Sequence, residues 1–174
     1  FGGASQGQTQ RWDRIKNGTV VTVHGLTNAA HINGETGQVA GFNEEKGRYL
    51  VTLNSGDTVA MRVDNLQQVV QRVIIHGIDS DDSLNGKSGT LLKYDEPKGK
   101  YTVRLSAVRR TICVKTESVI LPAGTCVVIR NLQSKPAFNG RRGTIQSHDR
   151  QANKFVVMLS ASEQVKLKAQ NLSV

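Results

Sequence analysis

The sequence is poor in the residues that usually reveal a purpose. It holds two cysteines, three prolines and eight aromatics in 174 residues. Cys113 and Cys126 are too few for a disulfide framework or a structural zinc set, so buried free thiols are the simplest reading. A methyl-lysine cage needs several clustered aromatics, and a proline-peptide groove needs an aromatic-lined surface. One Trp, three Tyr and four Phe supply neither. No apolar run approaches the roughly 18–20 residues of a membrane span. No cationic start leads into an apolar run, so no secretory signal is visible. With no disulfide framework either, an intracellular location is favoured. The first residue is Phe1 rather than Met, which reads as a fragment or a processed form.

Reaction chemistry is missing too. The four His and two Cys show no metal-ligand spacing, so neither a metal nor another cofactor is expected. The "GKS" at 86–88 lacks the Gly a phosphate loop needs, because Asp81 stands there, and no helix follows. Asp81-Asp82 and Glu44-Glu45 fall in polar turns, where solvation explains them. The sequence is not expected to be an enzyme, and no small-molecule substrate is evident.

What is present is a threefold repeat, the feature that decides a fold before any other. Asn33-Gly34 recurs as Asn85-Gly86 and Asn139-Gly140, and Gly37 recurs as Gly89 and Gly143. Tyr49, Tyr101 and Phe155 share one position, and Leu53, Leu105 and Leu159 another. Each copy alternates apolar and polar residues over short runs, such as "RYLVTL", "KYTVRL" and "KFVVML". Polar turns of Asn, Asp, Gly and Pro separate the runs, and no stretch carries a 3.6-residue apolar period. That pattern predicts short strands at regular spacing. The expected fold is all-β: three tandem small five-stranded SH3-like barrels over 18–70, 71–122 and 123–174, after a tail or linker at 1–17. The short joins "QQVVQ" and "LPAG" suggest barrels packed in a semi-rigid row.

The frame "NGxxG" reads first as a folding device. Asn-Gly is a strong tight-turn signal, in which Asn tolerates the left-handed region and Gly enters it without steric cost. A Gly at 37, 89 and 143 permits a bulge or close approach of another backbone.

"GTCVVIRNLQSKPAFNGRRGTI" (124–145) resembles a KOW motif: a strand, a loop, a fixed Gly and an alternating strand. "VHGLTNAAHINGETGQV" (23–39) and "IHGIDSDDSLNGKSGTL" (75–91) are looser versions. KOW motifs belong to SH3-like barrels of ribosomal proteins and transcription elongation factors, where they bind RNA or protein. The resemblance therefore implies such barrels and such partners.

Charge separates the copies. The net charge of +9 favours anionic partners. Three basic and five acidic residues lie in 18–70, nine and six in 71–122, eight and two in 123–174. All copies share one fold, so folding does not explain this gradient. The candidate residues for holding RNA phosphates or an acidic partner are Arg130, Lys135, Arg141, Arg142, Arg150 and Lys154 of copy three, with Lys87, Arg109 and Arg110 of copy two. Arg109-Arg110 coincide with one extra residue in copy two, which suggests a bulge or longer hairpin. Phe42, Tyr94 and His148 share a repeat position and are the candidates for stacking on a base. The expected function is that of a non-catalytic RNA-associated protein, a subunit or assembly factor of a ribonucleoprotein complex. The alternative is an architectural subunit of a large complex that docks an acidic protein surface.

Overall fold

The computed structural model describes residues 10–174. The first nine residues of the expected tail lie outside the described residues. The described residues form fifteen short strands and six single 3-10 turns. Copy one holds β1 (Val20–Val23), β2 (Thr36–Asn43), β3 (Arg48–Leu53), β4 (Thr58–Met61) and β5 (Leu66–Gln68). Copy two holds β6 (Val70–Ile75), β7 (Ser88–Asp95), β8 (Lys100–Leu105), β9 (Thr111–Lys115) and β10 (Val119–Ile120). Copy three holds β11 (Cys126–Ile129), β12 (Arg142–Asp149), β13 (Lys154–Met158), β14 (Gln164–Lys168) and β15 (Leu172–Ser173).

Each set makes one five-stranded antiparallel sheet with the same order, fifth strand beside first, then second, third and fourth. The protein is thus all-β, built as three small five-stranded barrels. Strict alternation drives this: Arg48–Leu53 reads exposed, buried, exposed, buried, so one face of each sheet becomes core. Tyr49, Tyr101 and Phe155 are buried at the equivalent core position. A register shift recurs at the equivalent place in each copy, between Val39 and Gly41, Leu91 and Lys93, and Ile145 and Ser147. A bulge bends a strand and increases its twist, which curls each sheet.

The three barrels do not form a row. Copies two and three share one continuous apolar cluster. Copy one also touches copy three: Gln68 Nε2 donates to the Cys126 carbonyl at 2.9 Å, and Cys126 packs into the core of copy one. Copy one meets copy two where the Tyr94 amide donates to Gln67 Oε1 at 3.2 Å. In this closed arrangement the two joins lie side by side, with residues 68–72 and 122–125 lining one cavity of about 320 Å³. Arg72, at φ 59, lies inside β6, where the register against β7 shifts between Val70 and Val73.

The tail takes part in this closure. Ile15 is buried in the core of copy one, and its amide donates to Tyr49 Oη at 3.1 Å. Thr144 Oγ1 of copy three donates to the Trp12 carbonyl at 2.6 Å. Residues 12–15 therefore strap copy one to copy three.

Candidate anion-binding surface

The loops aim the charges. In each copy the Asn of "NGxxG" clamps the residue seven positions earlier. Asn33 Oδ1 accepts from the Leu26 amide and Asn33 Nδ2 donates to the Leu26 carbonyl, at 2.9 and 2.8 Å. Asn85 does the same to Ile78, and Asn139 to Leu132. The side-chain amide copies a backbone pairing and closes the loop. The Asn residues are extended, at φ −60, −66 and −59. Only the following Gly is left-handed, at φ 90, 82 and 85. This corrects the turn expected from sequence: Asn is required for its side chain, not for its backbone. The left-handed Asn residues of copy three are elsewhere. Asn131 (φ 53) stands where the other copies have Gly25 and Gly77, and Asn153 (φ 47) where they have Gly47 and Gly99.

The last Gly of the frame lies under the neighbouring strand. A Cβ on Gly143 would sit 2.6 Å from Val157 Cγ1 and 2.8 Å from the Met158 carbonyl oxygen. On Gly89 it would sit 2.7 Å from the Arg104 carbonyl oxygen. Gly37 meets Thr52 and Leu53 in the same way. The bulge falls beyond this Gly, not at it.

Two of the candidate arginines in copy three, Arg130 and Arg141, are engaged by the protein itself. Arg130 bridges two copies: it donates to Glu96 of copy two and to Ser173 Oγ, both at 2.5 Å, and lies 5.7 Å from the Tyr94 ring centroid. Arg141 forms a two-pronged pair with Glu163, at 3.2 and 2.7 Å. That pairing holds the Glu163 carboxyl below its ordinary value. Arg141 and Lys135 also flank the Phe138 ring, at 5.1 and 5.5 Å from its centroid. Arg142 stands on β12 opposite Val128 of β11, the strand that carries the buried Cys126 thiol. Burial pushes that thiol up to about 11, so it is inert at neutral pH. Cys113, by contrast, is exposed on a sheet face.

The other candidates are more open. Arg109 and Arg110 are exposed in the β8–β9 turn, Arg150 is exposed beside His148, and Lys87 and Lys154 are half-buried. Among the described residues none of these five makes an ion pair.

The three aromatic candidates already have protein neighbours. Phe42 carries the Arg14 guanidinium 3.8 Å from its centroid, and Arg14 is itself paired with Glu44. Tyr94 packs on Tyr101 beneath Arg130. His148 packs on Phe155, 4.7 Å between centroids, and faces His76 at 6.1 Å. The shared position is a docking point: the tail uses it on copy one, and copies two and three use it on each other.

A second basic surface extends well beyond the candidates drawn from sequence. In β8 and β9 the outward residues include Lys100, Arg104 and Lys115, with Lys93 on β7. In β13 and β14 they include Lys154, Lys166 and Lys168. Register sets like charges directly opposite: Lys100 faces Lys115, and Lys154 faces Lys168. Arg48 and Arg62 hold the equivalent positions in copy one. Like charges across a strand pair are destabilising, so folding does not ask for them. Nearby carboxylates neutralise part of the surface: Asp95 pairs with Lys98 at 3.2 Å and Asp149 with Lys166 at 3.6 Å. The signal in the sequence is the alternation itself, since every second residue of "KYTVRL" and "QVKLKA" must point outward.

Among the described residues no three His, Cys, Asp or Glu side chains converge to hold a metal ion. No helix among them is long and apolar enough to cross a membrane. No family model matches this chain, and no curated protein matches it significantly.

Proposed function

We propose that this is a non-catalytic RNA-associated protein, a subunit or assembly factor of a ribonucleoprotein complex, that holds phosphate groups on copies two and three. The observation that carries this reading is the repeated cross-strand pair, Lys100 with Lys115 and Lys154 with Lys168. Two like charges held opposite each other oppose folding slightly, and an anion between them removes the repulsion. The KOW-like stretch at 124–145 supports the same class of partner. The test is binding of an oligouridylate across a salt series. Affinity is expected to fall steeply with salt. Replacing Lys100, Lys115, Lys154 and Lys168 by Gln is expected to shrink the slope by about 0.7 for each phosphate that is no longer neutralised. Absence of binding at low salt overturns the reading.

One observation favours a second reading, an architectural subunit that docks other proteins. On the outer face of copy one the Arg48 and Arg62 pair is followed by Leu50 opposite Ala60 and Thr52 opposite Thr58, and Leu50 is among the exposed large apolar residues. A protein contact through copy one is compatible with RNA on the other two.

A further inference from the structure

The threefold repeat lets one pair of positions be compared in three chemical states. The first is residue 35, 87 or 141, whose carbonyl accepts from the amide of Val23, Ile75 or Ile129. The second is residue 57, 110 or 163, whose carbonyl accepts from the amide of Leu53, Leu105 or Leu159. The backbone bonds are the same, so the two positions correspond in every copy. In copy three they are Arg141 and Glu163, and they close on each other at 2.7 Å. In copy one they are Glu35 and Asp57, both acidic. In copy two they are Lys87 and Arg110, both basic, and neither makes an ion pair among the described residues.

We propose that Lys87 and Arg110 form a phosphate site at the loop end of copy two, in the place where copy three is closed by its own Glu163. The turn that carries Arg110 supports this independently. It is one residue longer than its counterparts, running 106–110 between Leu105 and Thr111. It holds Arg109 at φ 48, a conformation that costs a side-chain-bearing residue energy and that Gly would adopt freely. It also leaves Val108 exposed at its tip. An exposed Val, a strained Arg and a free Arg in sequence fit a contact loop better than a folding turn. Arg110 further borders an open groove of about 760 Å³, which Lys100 and Lys115 also line, together with Asp79, Asp81 and Glu117. Cations thus run from the turn to the strand face, where Lys115 is paired with Glu117 at 4.0 Å while Lys100 and Arg110 make no ion pair among the described residues. That track suits a chain with a charge on every unit, a nucleic-acid backbone, better than isolated carboxylates. The inference rests on the RNA reading above and locates its principal contact.

Two substitutions in the full chain test it, with an oligouridylate as probe and backbone-amide NMR shifts as locator. Arg110→Glu gives copy two the carboxylate that copy three has. It is expected to weaken binding about tenfold and to lower the salt slope by about 0.7. Glu163→Arg frees Arg141 and is expected to strengthen binding, with new shifts at residues 141 and 163. Wild-type shifts centred on residues 86–88 and 106–111 support the site. If the wild type binds but Arg110→Glu binds equally well, this site is wrong while the RNA reading stands. If the wild type fails to bind at low salt, both fall. Equal displacement by polyglutamate would overturn the assignment to phosphate in favour of an acidic protein.

Discussion

At the scale of single residues, "NGRRG" (139–143) divides into parts with different physics. Asn139 closes its loop through its side-chain amide, Gly140 supplies the left-handed backbone, and Gly143 makes room for the adjacent strand. The demand for glycine was legible in the repeat, because spacing and residue type recur. The Asn clamp was not, since its partner lies seven residues away and only the closed loop brings them together. Nor could the sequence show that Arg141 is spent on Glu163, because the two are joined by register and not by proximity in the chain. Gly143→Val is expected to cost about 3 kcal/mol by forcing a branched side chain against Val157 and Met158. A urea melt checks this, and an unchanged midpoint would remove the close-approach explanation.

At the scale of elements, the strand faces were half legible. Alternation identified the buried set, and the outward Lys and Arg follow from it by elimination. The pairing of Lys100 with Lys115 needed the register. The contact between copies two and three adds a pH dependence that the sequence does not carry. His76 is half-buried against His148, with Arg150 bordering the same cavity. Burial first, and the neighbouring His148 second, lower its pKa from the ordinary 6.5. A histidine depressed in the folded state binds its proton more readily when unfolded. Its stabilising contribution is therefore full above pH 6.5 and is lost as pH falls toward the lower folded value. Denaturant midpoints are expected to decline through that window, and His76→Gln is expected to flatten the decline. Asp13, Glu44, Asp95, Asp149 and Glu163 are held below their ordinary carboxylate values by their cationic and backbone partners. A decline of unchanged size in His76→Gln would show that another group is responsible.

At the scale of the whole molecule, contacts join all three copies, and they are expected to unfold as one cooperative unit. Copies two and three share a core, and copy one is tied to copy three through Cys126 and the strap at 12–15. A small barrel alone buries little of its surface and is marginal, so these contacts supply stability that no copy has by itself. Trp12 is the only tryptophan, and its carbonyl is bound by Thr144. Its fluorescence therefore reports on the junction between copies one and three, while circular dichroism reports on every strand. The two signals are expected to change together in urea, as a single transition requires. An earlier fluorescence change would mean that the strap releases before the barrels unfold.

The sequence by itself determined the all-β class, the threefold division, the buried alternate residues and the excess of positive charge. Each is written locally, in spacing, alternation and composition. Tertiary structure alone decided which charges remain free. Ion pairing depends on register and on contacts between copies, and these join positions far apart in the chain. That is why Arg130 and Arg141, prominent in the sequence, are internally satisfied, while Lys87 and Arg110 stand open.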